Sequence, residues 1–376
     1  MLLFLLVPAL FPARGNLDAD TRLRAGKKIP AIPLLNTLTQ EERRYLGLRR
    51  GFFSFREESF FSLDDIQADY IVLEFLNRYC VSCLAQAPLL NTLYQKISRD
   101  SSLQGRIKFL AVGAGNNKRE TQRFRAEKKV PFPIIPDPEF EAYEALGNPG
   151  GTPYLLILRQ SPEGVLLAKS HLGLIQNADT LFAELKELVS LDLASFQRKI
   201  QEHRHLEVVQ ARPRSIQLSW SEKEIRGKIQ QAILHGDTKQ RLSFQKKNLP
   251  EYQDIYIVDS LPLAGRKRWV AKVYTRPPLC DVCHPIYFLL IFNGQGVVTN
   301  FIPLHITKYD NLSITAADAE NLEKRIVGRH LTKNYQFRPE YDSISGATMS
   351  ISLIFDSLNK AGGLYRKLQQ AGYLPD

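Results

Sequence analysis

Tyr70-Ile71-Val72-Leu73-Glu74-Phe75-Leu76 is a short, largely apolar run that leads through Asn77, Arg78 and Tyr79 into Cys80-Val81-Ser82-Cys83. Its length and β-branched content predict a central strand. Behind the cysteines, Leu84, Ala87, Leu90, Leu93, Tyr94 and Ile97 fall on one face at helical spacing. A C-x-x-C at a strand-to-helix junction has a definite chemistry. A thiol at a helix N-terminus meets unpaired backbone N–H groups and the positive end of the dipole, and both favour thiolate. A second cysteine three residues on can resolve a mixed disulfide. Cys80 is the candidate nucleophile and Cys83 the resolving thiol. The competing readings are an inert structural disulfide or two buried thiols, and neither accounts for the strand–C-x-x-C–helix setting.

Further along, Pro88 sits inside the helix, where it bends the backbone unless the fold accommodates a kink. Ile107 to Val112 reads as the next strand and Thr121 to Lys129 as a polar helix. Val130 to Asp137 is a proline-rich extended piece. Gly147-Asn148-Pro149-Gly150-Gly151-Thr152-Pro153 precedes a strand from Tyr154 to Leu158, and a proline in that setting is where a cis bond is usual. Gly113 and Gly115 follow a strand without the G-x-G-x-x-G spacing, so they read as a turn. Leu181 to Leu191 closes this part as a helix.

From about residue 35 to 192 the chain resembles the thioredoxin-like superfamily, in particular the exported TlpA/ResA-like thiol–disulfide oxidoreductases. The resemblance rests on Cys80, Cys83, the helix Pro88 and the pair Thr152-Pro153. It implies a cis-proline that backs onto the dithiol and helps bind a substrate chain. Tyr79 stands where the family usually has Trp, and Ser82 where it often has Pro. Both departures bear on redox potential.

The other two cysteines form Leu279-Cys280-Asp281-Val282-Cys283-His284-Pro285. Taken literally, this contains the C-x-x-C-H string that attaches a c-type haem, with His284 as iron ligand. It is equally a dithiol spacing, or a structural pair. Ser221-x-x-Glu224 predicts a capped helix from Glu222 to Leu234. Tyr252 to Leu261 and Trp269 to Tyr274 read as strands. Ile286 to Phe292 and Gly296 to Ile302 read as a hairpin about Asn293-Gly294. Thr315 to Val327 is a second helix. Tyr341-Asp342-Ser343-Ile344-Ser345-Gly346-Ala347-Thr348-Met349-Ser350 then runs into a helical pattern at Ile351, Ile354, Phe355 and Leu358.

Asp342-x-x-Ser345-Gly346-Ala347-Thr348 resembles the flavinylation motif of FMN-binding domains. Such domains occur in the flavin subunits of Rnf-type and sodium-pumping quinone oxidoreductase complexes and in regulators of the NosR type. The resemblance implies FMN joined to Thr348 by a phosphoester and installed by a flavin transferase. Small residues let backbone approach a phosphate, and a helix starting there offers N–H groups to it. The alternative is a plain Ser-Gly helix start. His305, Thr307 and Lys308 are further candidates for the flavin site.

The 376 residues carry 44% hydrophobic and 10% aromatic content, which suits globular domains with real cores. Net charge is +11, but the basic residues are scattered with no aromatic-interleaved stripe, so no nucleic-acid partner is expected. Met1 to Ala13 is apolar and ends at Arg14, a length that suits a signal h-region and falls short of a spanning helix. The expected organisation is a signal peptide or N-terminal anchor with a tether (1–25), a thioredoxin-like α/β domain (26–194), a linker (195–214) and an α+β FMN-binding domain (215–376). Residues 15–36 read as mostly tether, and Phe52 to Phe61 as entering the first sheet. The expected function is an exported, periplasmic thiol–disulfide oxidoreductase that relays electrons between FMN and the dithiol of Cys80 and Cys83, with Cys280 and Cys283 as the step between them. Its expected partners are a protein disulfide or dithiol, a membrane or quinone-linked donor or acceptor, and the flavin transferase. The alternatives are a flavin–haem c carrier and a non-catalytic redox sensor or assembly module.

Overall fold

The computed structural model describes residues 23–48, 60–146, 149–202, 220–237, 240–261, 267–280, 283–308 and 311–375. The expected signal segment, most of Phe52 to Phe61 and residues 203–214 of the expected linker lie outside them. Among the described residues no helix is long and apolar enough to cross a membrane.

The first half is built on a five-stranded sheet with β3 (Tyr70–Leu76) at its centre. Every residue of β3 is buried, which is what a nearly unbroken apolar run requires. β3 pairs in parallel with β4 (Ile107–Ala114), which pairs in parallel with β5 (Ile134–Asp137). On its other side β3 runs antiparallel to β6 (Tyr154–Arg159), and β6 antiparallel to β7 (Leu166–Leu172). Helices α2 (Val81–Arg99), α3 (Lys118–Lys128) and α5 (Ala178–Ser190) cover the sheet, with short α4 (Glu141–Ala145) between β5 and β6. Cys80 is the N-cap of α2, and Pro88 lies inside that helix as expected. α3 is fixed by a capping box in which Asn117 accepts the Glu120 N–H and Glu120 accepts the Asn117 N–H. Tyr70 Oη donates to the Leu188 carbonyl at 2.9 Å, tying the central strand to the end of α5.

Several expectations change at the edges. Residues 23–36 are not a free tether. Gly26 and Ile29 donate to the carbonyls of Leu167 and Val165, and Ile29, Ile32 and Leu34 are buried. Phe60–Phe61 (β2) does not join the main sheet; it pairs with Leu34–Leu35 (β1) in a separate two-stranded ribbon, with α1 (Gln40–Leu46) between them. The linker starts later than position 195, because α6 (Leu193–Glu202) packs on this half, with Phe196 fully buried under the Arg159 guanidinium.

The second half is a five-stranded antiparallel meander in sequential order: β8 (Arg241–Leu249), β9 (Tyr252–Leu261), β10 (Arg268–Arg276), β11 (Ile286–Asn293) and β12 (Val298–His305). Its two faces are covered by different helices. On one face Tyr256, Val258, Ala271, Leu289 and Ile291 meet Ile225 and Ile229 of α7 (Glu222–Leu234). On the other, Ile255, Ile257, Val270, Phe288, Leu290 and Phe292 join the apolar residues of α8 (Ala316–Ile326) and α10 (Thr348–Gln370). That double cover is why Ile286 to Phe292 is continuously apolar in sequence. A short α9 (Pro339–Asp342) precedes α10.

The two halves are in contact. One apolar cluster runs through both, from Cys80 and Cys83 to Cys280, Ala347 and Met349. Beside it, Glu144 of α4 meets Arg276 at 3.2 Å and Lys360 at 2.7 Å. These two cations also hold Asp356 of α10, at 2.5 and 2.8 Å. The Asp356 side chain is only 3% exposed, and these two cations are its ion-pair partners there. Arg119 and Glu340 add a second contact at 3.0 Å, at the exposed rim.

Removing Arg276 leaves a buried carboxylate with one cation fewer. Arg276→Ala is expected to lower unfolding stability by about 3 kcal/mol in urea titrations. Arg119→Ala is expected to change it by no more than about 0.5 kcal/mol, since that pair is solvated. Equal shifts for the two variants would contradict the difference drawn between the buried cluster and the rim.

Candidate functional site

β3 ends at Leu76, and the turn that follows is held by side chains. Asn77 Nδ2 donates to the Ala114 carbonyl at 2.7 Å, and Arg78 N–H donates to Asn116 Oδ1 at 2.7 Å. The glycine-flanked segment after β4 is thus a turn that braces the dithiol loop. Tyr79, at the position where Trp was the family expectation, donates its hydroxyl to Glu120 at 2.7 Å. The chain then enters α2 at Cys80. The Cys83 N–H donates to Cys80 Sγ at 3.2 Å, so the sulfur caps its own helix. Cys80 Sγ donates in turn to the Thr152 carbonyl at 3.3 Å. The Thr152–Pro153 bond is cis, as expected, and the Pro153 carbonyl accepts the Gly173 N–H. The structure therefore brings Cys80, Cys83, Thr152 and Pro153 together. Both cysteines are free thiols, and both are buried, Cys80 at 1% exposure.

A charged residue lies beneath them. Glu74, the single ionisable carboxyl side chain of β3, is buried and accepts a 2.8 Å hydrogen bond from Gln86 Nε2 of α2. Gln86 Oε1 accepts the Ile175 N–H, which fixes its orientation. Burial pushes Glu74 up to about 8. Burial also pushes the Cys83 thiol well up, with the neighbouring Cys80 and the charge of Glu74 adding to the effect. Cys83 and Glu74 thus share one desolvated pocket. Sequence reasoning treated Glu74 as part of a strand; a lone carboxylate in Tyr-Ile-Val-Leu-Glu-Phe-Leu was the signal that could have found it.

The second C-x-x-C lies on the connection from β10 to β11. Cys280 and Cys283 form a disulfide, and the Cys283 N–H closes the turn on the Cys280 carbonyl at 3.2 Å. Asp281 and Val282 lie outside the described residues. The preceding Leu279 carbonyl accepts two bonds from the first half: Thr152 N–H at 2.8 Å and Thr152 Oγ1 at 2.7 Å. Both cysteine pairs are therefore tied to one residue, Thr152. Both sulfurs of the second pair are joined to each other, and Cys280 is buried. As arranged, these residues do not fit a thioether-linked haem.

From Cys283 the chain continues to His284, whose ring lies nearly parallel to that of His305, with centroids 5.6 Å apart. Burial, with the charge of His284, pulls the His305 imidazole down. His305 ends β12, opposite Tyr287. Thr307 follows, buried, and its carbonyl accepts from Ser350 Oγ at 3.0 Å in the first turn of α10. Lys308 is engaged elsewhere, at 2.5 Å from Asp318, and that cation holds the Asp318 carboxyl down at about 2.

Thr348 is the first residue of α10 and is half-buried. No side chain caps this helix, so its first N–H groups are not claimed by a capping residue. Ser345 and Gly346 are exposed, Ala347 is buried, and Gly346 has φ +76°, a conformation that favours glycine. An uncapped 23-residue helix behind a small, open turn suits a phosphate. Among the residues expected to hold FMN, Thr348, Ser345 and Gly346 meet that requirement. Asp342 is engaged within the protein itself. It is buried, pairs with Arg325 and accepts the Arg338 N–H at the start of α9.

No family model matches the chain, and no curated protein matches it. Among solved structures it is similar to the thioredoxin domain of a thiol-disulfide oxidoreductase from Bacteroides vulgatus, at 16% identity and a TM-score of 0.33, over 45% of this chain and 99% of that one. It is similar to a thiol:disulfide interchange protein from Bacteroides sp., at 16% identity and a TM-score of 0.33, over 46% of this chain and 93% of the other. StoA from Bacillus subtilis shares 20% identity, with a TM-score of 0.27, over 33% of this chain and 87% of its own. Values this low describe a likeness and carry no argument. The thioredoxin-like reading of the first half stands on its strand order, the cysteines at the start of α2 and the cis-proline beside them.

Proposed function

We propose that this chain is an exported thiol–disulfide oxidoreductase whose dithiol, Cys80/Cys83, works within the same polypeptide as an FMN carried at Thr348. The observation that supports the thiol chemistry best is the placement of Cys80 Sγ. It receives the Cys83 N–H and faces the carbonyl of Thr152, beside a cis-proline. In this reading Cys80 attacks a disulfide sulfur, and a protein disulfide or dithiol is the substrate class. Cys83 resolves the mixed disulfide, and Glu74, in the same pocket, takes up the Cys83 proton once its carboxyl has ionised, which burial shifts toward pH 8. The Cys280–Cys283 disulfide, which an oxidising compartment permits, agrees with export, as does the apolar Met1 to Ala13. The periplasm, reached through that segment as signal or membrane anchor, is the proposed location.

For the cofactor, Thr348 would provide the oxygen of a phosphoester, and the backbone N–H groups that open α10, with Ser345 and Gly346, would receive the phosphate. A flavin supplies one- and two-electron transfer when bound. Its attachment requires a flavin transferase, and its electrons a membrane or quinone-linked partner. His284, His305, Thr307 and Ser350 form the contacts between the second cysteine pair and the start of α10.

Three outcomes test this reading. Cys80→Ser is expected to abolish turnover of a protein disulfide; unchanged turnover would point to the non-catalytic sensor or assembly module. Intact protein from a host with the flavin transferase is expected to gain the mass of FMN less water, and Thr348→Ala is expected not to. An unmodified wild-type mass would remove the cofactor from the proposal. Glu74→Gln is expected to slow resolution of the Cys80 mixed disulfide by about 100-fold in quenched-flow measurements.

The sign of the Glu74 effect on stability also follows. Its folded value, about 8, is raised above the ordinary 4.5. Its favourable contribution is complete below pH 4.5 and is lost as pH rises through 8. Glu74→Gln should therefore lose less stability than the wild type between pH 5 and pH 9, read as urea midpoints; parallel losses would show that Glu74 does not titrate in this window.

A further inference from the structure

We infer that the Cys280–Cys283 disulfide is a resident substrate of the first dithiol, held beside it through the Leu279 carbonyl on Thr152, so that Cys80 exchanges directly with Cys280 inside one chain. This rests on the thiol–disulfide reading above and names the partner of that site.

The two pairs do not merely share a protein. Thr152 uses three groups at once. Its carbonyl takes the Cys80 thiol, while its N–H and hydroxyl both go to the carbonyl of Leu279, the residue next to Cys280. The Leu279 carbonyl thus receives two hydrogen bonds from the residue whose own carbonyl receives the Cys80 thiol. The segment held in this way carries a disulfide. Cys80, at 1% exposure, belongs to the apolar cluster that also contains Leu279 and Cys280. The Glu144, Arg276, Asp356 and Lys360 cluster joins the two halves at the end of β10 from which the connection to Cys280 leaves. Arg276 is the last residue of β10, and the turn begins a few residues beyond it, so the latch and the docked turn belong to one connection.

The exchange balances without an outside reagent. The Cys80 thiolate attacks Cys280 Sγ; the Cys80–Cys280 bond forms, the Cys280–Cys283 bond breaks, and Cys283 leaves as thiolate. Cys83 then attacks Cys80 Sγ; the Cys80–Cys83 bond forms and Cys280 leaves as thiolate. Two electrons pass from the first pair to the second, and the two protons lost from Cys80 and Cys83 end on Cys280 and Cys283. Reversal gives the opposite flow. Cys280 is the sulfur attacked because it adjoins the carbonyl that Thr152 holds.

Two full-length variants test this. C83A/C283A keeps Cys80 and Cys280, and C83A/C280A keeps Cys80 and Cys283. Under diamide, the first is expected to form an intramolecular Cys80–Cys280 bond, seen by peptide mapping in the monomer, at least tenfold more than the second forms Cys80–Cys283. Equal yields, no bond, or bonds only between molecules would overturn the inference. As a check that needs no substitution, wild-type protein is reduced with limiting dithiothreitol and acid-quenched; a peptide pair linking Cys80 to Cys280 is expected, and its absence counts against the inference. Wild-type protein is also equilibrated in glutathione buffers and its Cys80/Cys83 thiols are counted with maleimide. If that pair changes redox state but no Cys80–Cys280 link is found, the exchange chemistry stands and the resident-substrate inference falls. If the pair does not change redox state, both fall.

Discussion

The hydrogen bonds around Thr152 are the constraint on which the rest of the architecture depends. A cis peptide turns its backbone so that the carbonyl points to Cys80 while the N–H and hydroxyl point to the Leu279 carbonyl. Charge-neutral bonds of this kind contribute about 1 kcal/mol each, so they do not hold two domains together by themselves. The continuous apolar cluster and the buried Glu144–Arg276–Asp356–Lys360 group provide the adhesion. The Thr152 bonds set the register. They decide which residues face each other once the surfaces have met.

Chemistry at the dithiol is divided between its two sulfurs by their surroundings. Cys80 sits at the helix start, with backbone partners on both sides. Cys83 lies deeper, in a pocket whose other ionisable member, Glu74, is itself held largely protonated near neutral pH by burial. In the proposed mechanism, a pocket that disfavours charge would delay resolution by Cys83 until the Glu74 carboxyl ionises, so attack and resolution would follow different pH dependences.

The elements nearest the chemistry were the most legible in the sequence. β3, the start of α2, the cis Thr152–Pro153 bond, the Ser221–Glu224 cap and the start of α10 all follow from local rules of pattern, turn chemistry or capping. β9 and β11 were also readable, because burial on one or both faces leaves a strong apolar signal. β8 was not: Arg241-Leu242-Ser243-Phe244-Gln245-Lys246-Lys247-Asn248-Leu249 is an edge strand with exposed charges at Arg241 and Lys246 and no fully buried residue, and its pairing with β9 is specified by the partner. Residues 23–36 looked like tether because their few apolar side chains have no periodicity; they are fixed by backbone bonds to β7 that no side-chain pattern reports. Leu279 was invisible as a site residue for the same reason, since it acts through its carbonyl. Lys308 and Asp342, grouped with the flavin on sequence grounds, have ion-pair partners contributed by α8, namely Asp318 and Arg325.

α10 carries a mechanical consequence. Thr348 opens it, and Asp356 and Lys360 lie farther along the same unbroken helix. At 1.5 Å per residue, Asp356 is about 12 Å from Thr348 along a rod with no joint between them. A group attached at Thr348, as proposed, would therefore be carried by the same rod that the ionic cluster grips. Were that cluster to open, a rigid helix would shift as one piece, and the spacing from the proposed attachment point to the second cysteine pair would change together with the contact between the two halves.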